Sequence, residues 1–533
     1  MNHSVCVDDE PPGASDHDDV ARRVAELFGT VLDRSPCELD ESFFHLGGDS
    51  LKGMSLLAQV RTAYGVRLRL VDLFEHGTPR HLADRISRAR RSPTPARRSV
   101  AEHARRRRGE FFPLSLAQEG FYEMNLATGG AGLFNSLTRL DFVGDVDPDA
   151  LLAAVAHTVR RQSSLRTLYG THNGRPAQRL VAQPSPTRQV DLRHDASRLE
   201  RLVRLEHLRG FDLHRELPCR FTAVRTGDRS WSLLMAIHHI AVDGMSQGLL
   251  VDEIATWYAH EVGAGGALPD LSTDYLQFAE WQRNHFSGGR LGECLDQLRR
   301  TLSSPSPPIA CSSDARGFTS RIAPFDLSGR TASGVDATAA GCDATAFVVL
   351  VAAMLDFGRR RNGQPRQLVS IQSANRSWPG ADDIVGCFAN TLHVACDLDP
   401  SMSGTDIVGA VRAAVADALA YEDLPSDFAL RELTARGWDL AGSGCLPKLG
   451  FALQPPLGHT RALPGCVLSA QQILQRGDTA DPTNFPLVVE LFGADDGLRG
   501  VTHRLLSAWP GDSFGHAERQ LRAAIDELAG LGG

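Results

Sequence analysis

Two short segments of the sequence carry side chains that could do chemistry near neutral pH, and the first is Gly47-Gly48-Asp49-Ser50. Two glycines allow a sharp turn, and the apolar periodic stretch that follows predicts a helix beginning at Ser50. The Ser50 hydroxyl would then be exposed, with the negative charge of Asp49 near the positive end of the helix. An enzyme that modifies a serine requires an accessible hydroxyl of this kind. An ordinary turn followed by a helix N-cap is the alternative interpretation.

The second segment is His238-His239-Ile240-Ala241-Val242-Asp243-Gly244, which follows the apolar stretch 233–237. A histidine that leaves a buried strand at a cleft can take a proton from an attacking amine or alcohol near pH 7. Asp243 is predicted to turn back, pair with an arginine and hold the loop, while Gly244 lets the backbone approach a substrate or change direction. A histidine pair satisfied by backbone hydrogen bonds inside a core strand is the structural alternative.

The composition bounds what can position these residues. The chain has 533 residues, of which 42% are hydrophobic and 23% charged, as in a globular protein with more than one core. No apolar run reaches about 18 residues, so no membrane span is expected, and Met1–Ser15 lacks the layout of a secretion signal. The ten cysteines are scattered without CxxC pairs or metal-ligand spacing. We therefore expect free thiols, no bound metal and a cytoplasmic location.

The net charge of −8 conceals a basic run between Arg85 and Arg108, which holds ten arginines and one acid, Glu102. The run also contains Ser92-Pro93-Thr94-Pro95 and almost no large apolar residues. We interpret it as a solvated linker between domains. Because no aromatic residues are interleaved with the arginines, nucleic acid is not an expected partner.

The pattern along the chain divides it into four parts. Residues 1–17 are expected to be disordered, residues 18–86 to form a small four-helix domain, residues 87–110 to be the basic linker, and residues 111–533 to form a large α/β region. Within the large region the sequence predicts strands at Ser232–Ile240, Leu368–Ser373 and Phe485–Phe492, and one long apolar helix at Ala339–Phe357.

The small domain resembles the peptidyl carrier proteins of nonribosomal peptide synthetases. The resemblance rests on Asp40–Leu51, with Phe43-Phe44 ahead of the glycines, and on Leu73–Pro79. It implies that Ser50 carries a 4′-phosphopantetheine arm, added by a separate phosphopantetheinyl transferase, and that the thiol of this arm holds an aminoacyl or peptidyl group.

The large region resembles the condensation domain of the same synthetases. The histidine segment matches the family motif HHxxxDG, and further matching segments follow in the family's order: Ser115–Tyr122, Ser164–Tyr169, Tyr275–Gln282, Val385–Leu392 and, more weakly, Tyr421–Asp427. The resemblance implies two lobes like chloramphenicol acetyltransferase, spanning about 111–285 and about 286–533, with a tunnel between them. By the resemblance His239 is the catalytic histidine, His238 and Asp243 are mainly structural, and a backbone N–H near Gly244 is a candidate oxyanion donor.

Two segments depart from the family pattern. Arg161–Ser164 stands where the family has a histidine and an acid, and Ala395 stands where the family has an arginine. If that arginine normally supports the Asp243 loop, then Arg166 or Arg376 must do so in this chain.

The resemblance implies acyl transfer from a thioester on Ser50 to an amine or hydroxyl, forming an amide or an ester. An adenylation enzyme acting in trans would load Ser50, because the sequence has no room for such a domain, and the acceptor would come from another carrier protein or as a free small molecule. The chain is expected to act as a monomer.

Three alternatives remain. Epimerisation is disfavoured because Gln247 follows Ser246 where epimerisation domains have tryptophan, and because Gln372 replaces their glutamate. A coenzyme-A-dependent acyltransferase is disfavoured by the carrier domain, and a non-catalytic docking protein by the intact His239.

Overall fold

A computed structural model of the protein describes most of the chain. The described residues are 14–48, 50–66, 68, 72–73, 77–91, 110–182, 187–193, 195–304, 319–378, 380–440, 444–454, 457, 460–474, 477–480, 485–494, 497–509 and 513–531. Residues 1–13 and 92–109, which hold most of the predicted disordered terminus and basic linker, lie outside this set.

The small domain is a helical bundle of α1 (Ala14–Leu32), α2 (Ser50–Tyr64) and α3 (Pro79–Arg91). Between α2 and α3 the chain is helical at residues 72–73, and most of the predicted third helix lies outside the described residues. The aromatic ring of Phe43 packs edge-on against Phe28 inside the bundle, and both rings are fully buried. Helix α1 begins four residues before the predicted domain start, and α3 continues five residues into the predicted linker.

The first lobe is built around a mixed sheet. Its elements are β1 (Phe111–Pro113), α4 (Leu116–Ala127), β2 (Asn135–Gly144), α5 (Pro148–Arg161), β3 (Thr167–His172), β4 (Arg175–Leu180), β5 (Arg188–Asp191), α6 (Ala196–Leu208), β6 (Cys219–Gly227), β7 (Ser230–His238), α7 (Gly244–Glu261) and α8 (Tyr275–His285). Two strands from later in the chain, β13 (Arg461–Leu463) and β14 (Cys466–Gln472), also belong to this lobe. The six-stranded sheet has the order β13-β14-β2-β7-β6-β5, so β7 lies inside it, and β1, β4 and β3 form a separate small sheet.

The second lobe follows. Its elements are α9 (Gly289–Thr301), β8 (Thr319–Pro324), β9 (Leu327–Ser328), α10 (Gly329–Gly341), α11 (Ala346–Asn362), β10 (Arg366–Ser373), β11 (Asn390–Asp397), α12 (Gly404–Leu419), α13 (Ser426–Ala435), β12 (Leu449–Gln454), β15 (Gly477–Ala480), β16 (Leu487–Ala494), β17 (Gly497–Leu505) and α14 (Ser513–Leu528). Its sheet runs β11-β10-β12-β16-β17-β8-β15, with β9 paired to β17.

Two predictions about this half of the chain are wrong in detail. The lobes are not consecutive in sequence, because β14 pairs antiparallel with β2 and so adds residues 461–472 to the first lobe's sheet. The predicted helix Ala339–Phe357 is two helices, since α10 ends at Gly341 and the Thr345 hydroxyl caps the start of α11 by accepting from the Val348 N–H.

No single helix among the described residues is long and apolar enough to cross a membrane. Taken together, α10 and α11 are long and apolar enough for a membrane span, but the two helices are bent by 103° relative to each other. Most of α11 is buried within the second lobe.

Candidate active site

The histidine segment forms the turn between β7 and α7. Strand β7 is buried along nearly its whole length and ends at His238, while α7 begins at Gly244. Asp243 is the N-cap of α7, and its carboxylate accepts a hydrogen bond of 2.8 Å from the Ser246 N–H. Residues 239–243 are therefore held at both ends by regular structure, and the turn has a defined conformation.

His238 is fully buried and points into the first lobe. Its Nδ1 accepts a hydrogen bond of 3.0 Å from the Ile240 N–H, so the neutral ring carries its proton on Nε2. Burial, with the neighbouring His239, lowers the pKa of His238 to about 3. His238 is thus a neutral side chain at physiological pH, and it fixes the backbone of the turn.

His239 is half-buried and retains contact with solvent. Its backbone N–H donates to the Phe134 carbonyl at 2.9 Å, and its ring stacks on Phe121 with 5.9 Å between centroids. The Val242 carbonyl lies 3.2 Å from Nδ1. Because a carbonyl can only accept, Nδ1 carries the proton in this arrangement, and Nε2 keeps its lone pair free to act as a base.

The protonation of His239 is set by opposing effects. Burial lowers the pKa of its imidazole below the ordinary value, whereas the Val242 carbonyl and the carboxylates of Asp243 and Glu490 act in the opposite direction. Because burial prevails, the neutral form predominates at pH 7. A neutral imidazole with a free Nε2 is the form that general-base chemistry requires.

Asp243 and Arg376 form a buried ion pair. The Arg376 guanidinium donates to the Asp243 carboxylate at 2.9 Å, and the two side chains are 4% and 3% exposed. The second carboxylate oxygen accepts from the backbone N–H groups of Phe388 and Ala389 at 3.0 and 3.2 Å. Burial would raise the pKa of Asp243, but Arg376 and Ser246 outweigh it, so this pKa lies below its ordinary value.

The other two candidates for supporting this loop lie elsewhere. The Arg166 guanidinium donates to the Val181 carbonyl at 3.0 Å, at the end of β4. Ala395 lines a cavity of about 130 Å³ that α9, α12 and α13 also border. Ala395 is in β11, six residues after Ala389, which corresponds to roughly 20 Å at the usual rise of a strand. An arginine at position 395 would extend into this cavity, so its absence leaves the Asp243 loop intact.

Four of the five remaining family segments, all except Tyr421–Asp427, converge on the same turn. The Gln118 amide and the Tyr169 hydroxyl both donate to the Ile240 carbonyl, at 3.2 and 3.5 Å. The Ser246 hydroxyl donates to the Gly386 carbonyl at 2.9 Å and accepts from the Gly386 N–H at 3.1 Å. Gly386 has to be glycine because a Cβ there would overlap the ring of Tyr275.

Three polar residues of the second lobe complete the site, and sequence reasoning missed them. Gln454, at the end of β12, lies so close to Gly244 that a Cβ on this glycine would be 2.5 Å from the amide oxygen of Gln454. The Gln454 amide donates to Glu490 at 2.9 Å, and His503 Nε2 lies 3.4 Å from the other Glu490 oxygen. These residues lie in strands with no local motif, so no sequence signal identified them.

Ser50 begins α2, directly after the turn that contains Gly47 and Gly48. Gly47 has φ +88°, and a Cβ on Gly48 would overlap the Phe43 ring, so both glycines are required by the turn. The side chain of Lys52, in the first turn of α2, is exposed and donates to the Gly47 carbonyl at 3.1 Å. Ser50 is therefore the first residue of a helix, as the sequence predicted. In the described part of the chain, no three His, Cys, Asp or Glu side chains are arranged to hold a metal ion.

Solved structures share the fold of this chain. The chain is similar to the starter condensation domain of the rhizomide synthetase RzmA, with a TM-score of 0.67, 16% identity, and coverage of 79% of this chain and 95% of that one. It is also similar to the condensation domain of the monacolin K polyketide synthase MokA, with a TM-score of 0.67, 17% identity, and coverage of 79% and 97%. The expected two-lobed α/β fold is therefore confirmed.

The chain belongs to the condensation-domain family, whose model matches residues 109–434, and a phosphopantetheine attachment site matches residues 22–86. These matches confirm the predicted order of a carrier domain followed by a condensation domain, and the predicted cofactor, 4′-phosphopantetheine.

Curated relatives are synthetases. The chain is 28% identical over 94% of its length to a probable non-canonical nonribosomal peptide synthetase, CymA, of Salinispora arenicola. It is 28% identical over 78% of its length to tyrocidine synthase 3 of Brevibacillus parabrevis. The chain spans only 6% of the length of each of these two relatives.

Proposed function

We propose that this chain transfers an acyl, aminoacyl or peptidyl group from a thioester at Ser50 to an amine or hydroxyl acceptor, forming an amide or an ester. The observation that carries the proposal is the state of His239. Its Nδ1 proton is held by the Val242 carbonyl, and its Nε2, in a half-buried position, has no hydrogen-bond partner among the residues that the structure describes. Family membership supports the same chemistry.

The 4′-phosphopantetheine group attached to Ser50 supplies the thiol that carries the donor acyl group as a thioester. The chain contributes Ser50 as the attachment point, at the first residue of α2. The two glycines of the preceding turn have no side chains, so a partner can approach the backbone closely beside the attachment point.

His239 acts as the general base of the proposed reaction. As the acceptor nitrogen bonds to the acyl carbon and the carbon–sulfur bond breaks, Nε2 takes the proton that the amine releases, and it can return this proton to the departing sulfur. The buried Asp243–Arg376 pair keeps the turn in place during this exchange, and Phe121 limits rotation of the imidazole by stacking on it. The Gly244 N–H, at the start of α7, is a candidate donor to the developing oxyanion.

Three partners complete the proposal: a phosphopantetheinyl transferase that modifies Ser50, an adenylation enzyme that loads it, and an acceptor presented by another carrier protein or as a free small molecule. The described cysteines are all free, which agrees with action in the cytoplasm.

The test begins with intact-protein mass. Treatment with a phosphopantetheinyl transferase and coenzyme A should add one phosphopantetheine to the wild type and none to Ser50→Ala. Loaded protein is then offered amines and alcohols, with His239→Ala as the control, and products are resolved by chiral chromatography. An amide or ester that depends on His239 supports the proposal, whereas a donor that only changes configuration would establish epimerisation and overturn it.

A further inference from the structure

Three polar side chains of the second lobe form a row that starts at the catalytic turn: Gln454 on β12 lies against Gly244, Glu490 on β16 accepts from Gln454, and His503 on β17 contacts Glu490. We call them the acidic wall. In β12 and β16, neighbouring positions such as Phe451 and Val489 belong to the core of the second lobe. Because successive side chains on a strand face opposite sides, Gln454 and Glu490 are on the other face of the sheet, where Gln454 reaches the first lobe.

Contacts connect the acidic wall to the catalytic turn. The Gln454 side chain lies against Gly244 with its oxygen and donates to Glu490 with its nitrogen. The negative charge of Glu490 is close enough to His239 to raise the pKa of that imidazole. The acidic wall and the catalytic base therefore border the same space.

Among the residues that the structure describes, the charge of Glu490 has no permanent counter-ion. Its side chain is 16% exposed, and its one ion-pair partner among the described residues is the His503 imidazole at 3.4 Å. Neither an arginine nor a lysine in the described part of the chain lies within ion-pair distance of it, in contrast to Asp243, which Arg376 neutralises. A partly buried carboxylate of this kind is stabilised strongly when a substrate brings a cationic group that pairs with it.

We propose that Glu490 binds the protonated amino group of an aminoacyl substrate in the active site. The proposal rests on the acyl-transfer function above and names the substrate class of that site. Gln454 and His503 hold the two carboxylate oxygens in place, so that the carboxylate is oriented before the ammonium group arrives. The ammonium group comes either from a free α-amino group on the donor or from the acceptor amine, and both present the same charge and the same hydrogen-bond donors.

The first experiment measures binding by itself. The unloaded full-length chain is titrated with alaninamide and with N-acetylalaninamide, which lacks the positive charge, by isothermal calorimetry. We expect Glu490→Gln to weaken alaninamide binding by about 10-fold or more, the usual loss when a charged hydrogen bond is removed, and to leave N-acetylalaninamide unchanged. Equal affinities of the wild type and Glu490→Gln for alaninamide would overturn the proposal.

The second experiment identifies the source of the ammonium group. Aminoacyl and N-acetylaminoacyl thioesters of N-acetylcysteamine serve as donors, each with an amine and with an alcohol acceptor. If the donor supplies the group, Glu490→Gln raises KM about 10-fold or more for free-amino donors alone. If the acceptor supplies it, the KM of the amine acceptor rises and that of the alcohol does not. Equal losses for all four combinations would show a merely structural role and overturn the proposal.

Two variants complete the design. Glu490→Asp keeps the charge on a shorter side chain and should restore part of the alaninamide affinity, which a packing defect would not allow. Glu518→Gln removes a carboxylate on α14, where it is paired with Arg522 at 2.9 Å, and should leave binding and KM unchanged. Alaninamide binding that is sensitive to Glu490 but without any turnover would contradict the acyl-transfer function while supporting the ammonium site.

Discussion

Arg376 of the second lobe donates a hydrogen bond of 2.9 Å to Asp243, the residue that caps the helix after the histidine turn in the first lobe. Both side chains are almost completely buried. The same guanidinium also donates to the Ser246 hydroxyl at 2.7 Å and to the Ile384 carbonyl at 3.0 Å. One ion pair thus joins the two lobes and fixes the start of α7.

Replacing Arg376 with methionine should be strongly destabilising, because it leaves the Asp243 carboxylate buried without a counter-charge. We expect a loss of about 3–5 kcal/mol in the free energy of unfolding of the condensation domain, measured by urea denaturation at pH 7.5. Activity should fall with it, since the turn that bears His239 loses its support.

The control for this change is Arg412→Met, which breaks the pair between Arg412 and Asp343, whose side chains are 35% and 42% exposed. Exposed pairs contribute about 0–1 kcal/mol, so this variant should lie close to the wild type. If Arg376→Met costs no more than Arg412→Met, the buried pair does not stabilise the lobe contact.

The reaction rate should fall in acid because His239 must be neutral to accept a proton. Burial sets its pKa below the ordinary value of about 6.5, so kcat/KM, expressed per unprotonated acceptor amine, should be constant near pH 7 and decline with a midpoint below about 6.5. Profiles from pH 5 to 9 with a soluble thioester donor would locate this midpoint.

Glu490→Gln offers an internal check on that profile. The Glu490 carboxylate raises the pKa of His239, so its removal should move the acid midpoint to lower pH. If the dependence of kcat/KM on pH is the same in His239→Ala as in the wild type, a group other than His239 titrates.

The parts of the site that the sequence predicted are those with local signatures. Ser50 follows its glycines directly, and His239 and Asp243 lie in one seven-residue motif, so spacing alone placed them at a helix start and at a strand end. Arg376 was one of two arginines considered, because a sequence does not reveal which of two distant residues reaches a loop.

The parts that were missed depend on contacts between distant segments. Gln454, Glu490 and His503 converge only through pairing of β12, β16 and β17, and hydrophobic alternation does not specify which strands pair. The break in the helix predicted at Ala339–Phe357 falls at residues 342–345, where Asp343 has φ +51° and Thr345 starts a new helix. The apolar pattern continues through this break and therefore concealed it.

Filling the cavity beside Ala395 should stabilise the second lobe without affecting catalysis. Ala395→Val adds two buried carbon atoms to β11, where a β-branched residue is favoured, and about 1 kcal/mol of additional stability is expected. Urea denaturation would measure the gain, and kcat/KM should equal that of the wild type. A loss of activity at unchanged or higher stability would contradict the separation of position 395 from the Asp243 loop.

The buried neutral ring of His238 should make stability depend on pH. Its pKa of about 3 in the folded chain lies below the value of about 6.5 for an unfolded histidine. Below about pH 6.5 the unfolded chain binds a proton that the folded chain does not, so the free energy of unfolding falls by about 1.4 kcal/mol per pH unit towards pH 3 from this residue. His238→Asn keeps an acceptor for the Ile240 N–H but cannot titrate, so urea denaturation at several pH values should show a shallower acid decline, whatever its stability at pH 8. Identical slopes for the wild type and His238→Asn would rule out His238 as the source.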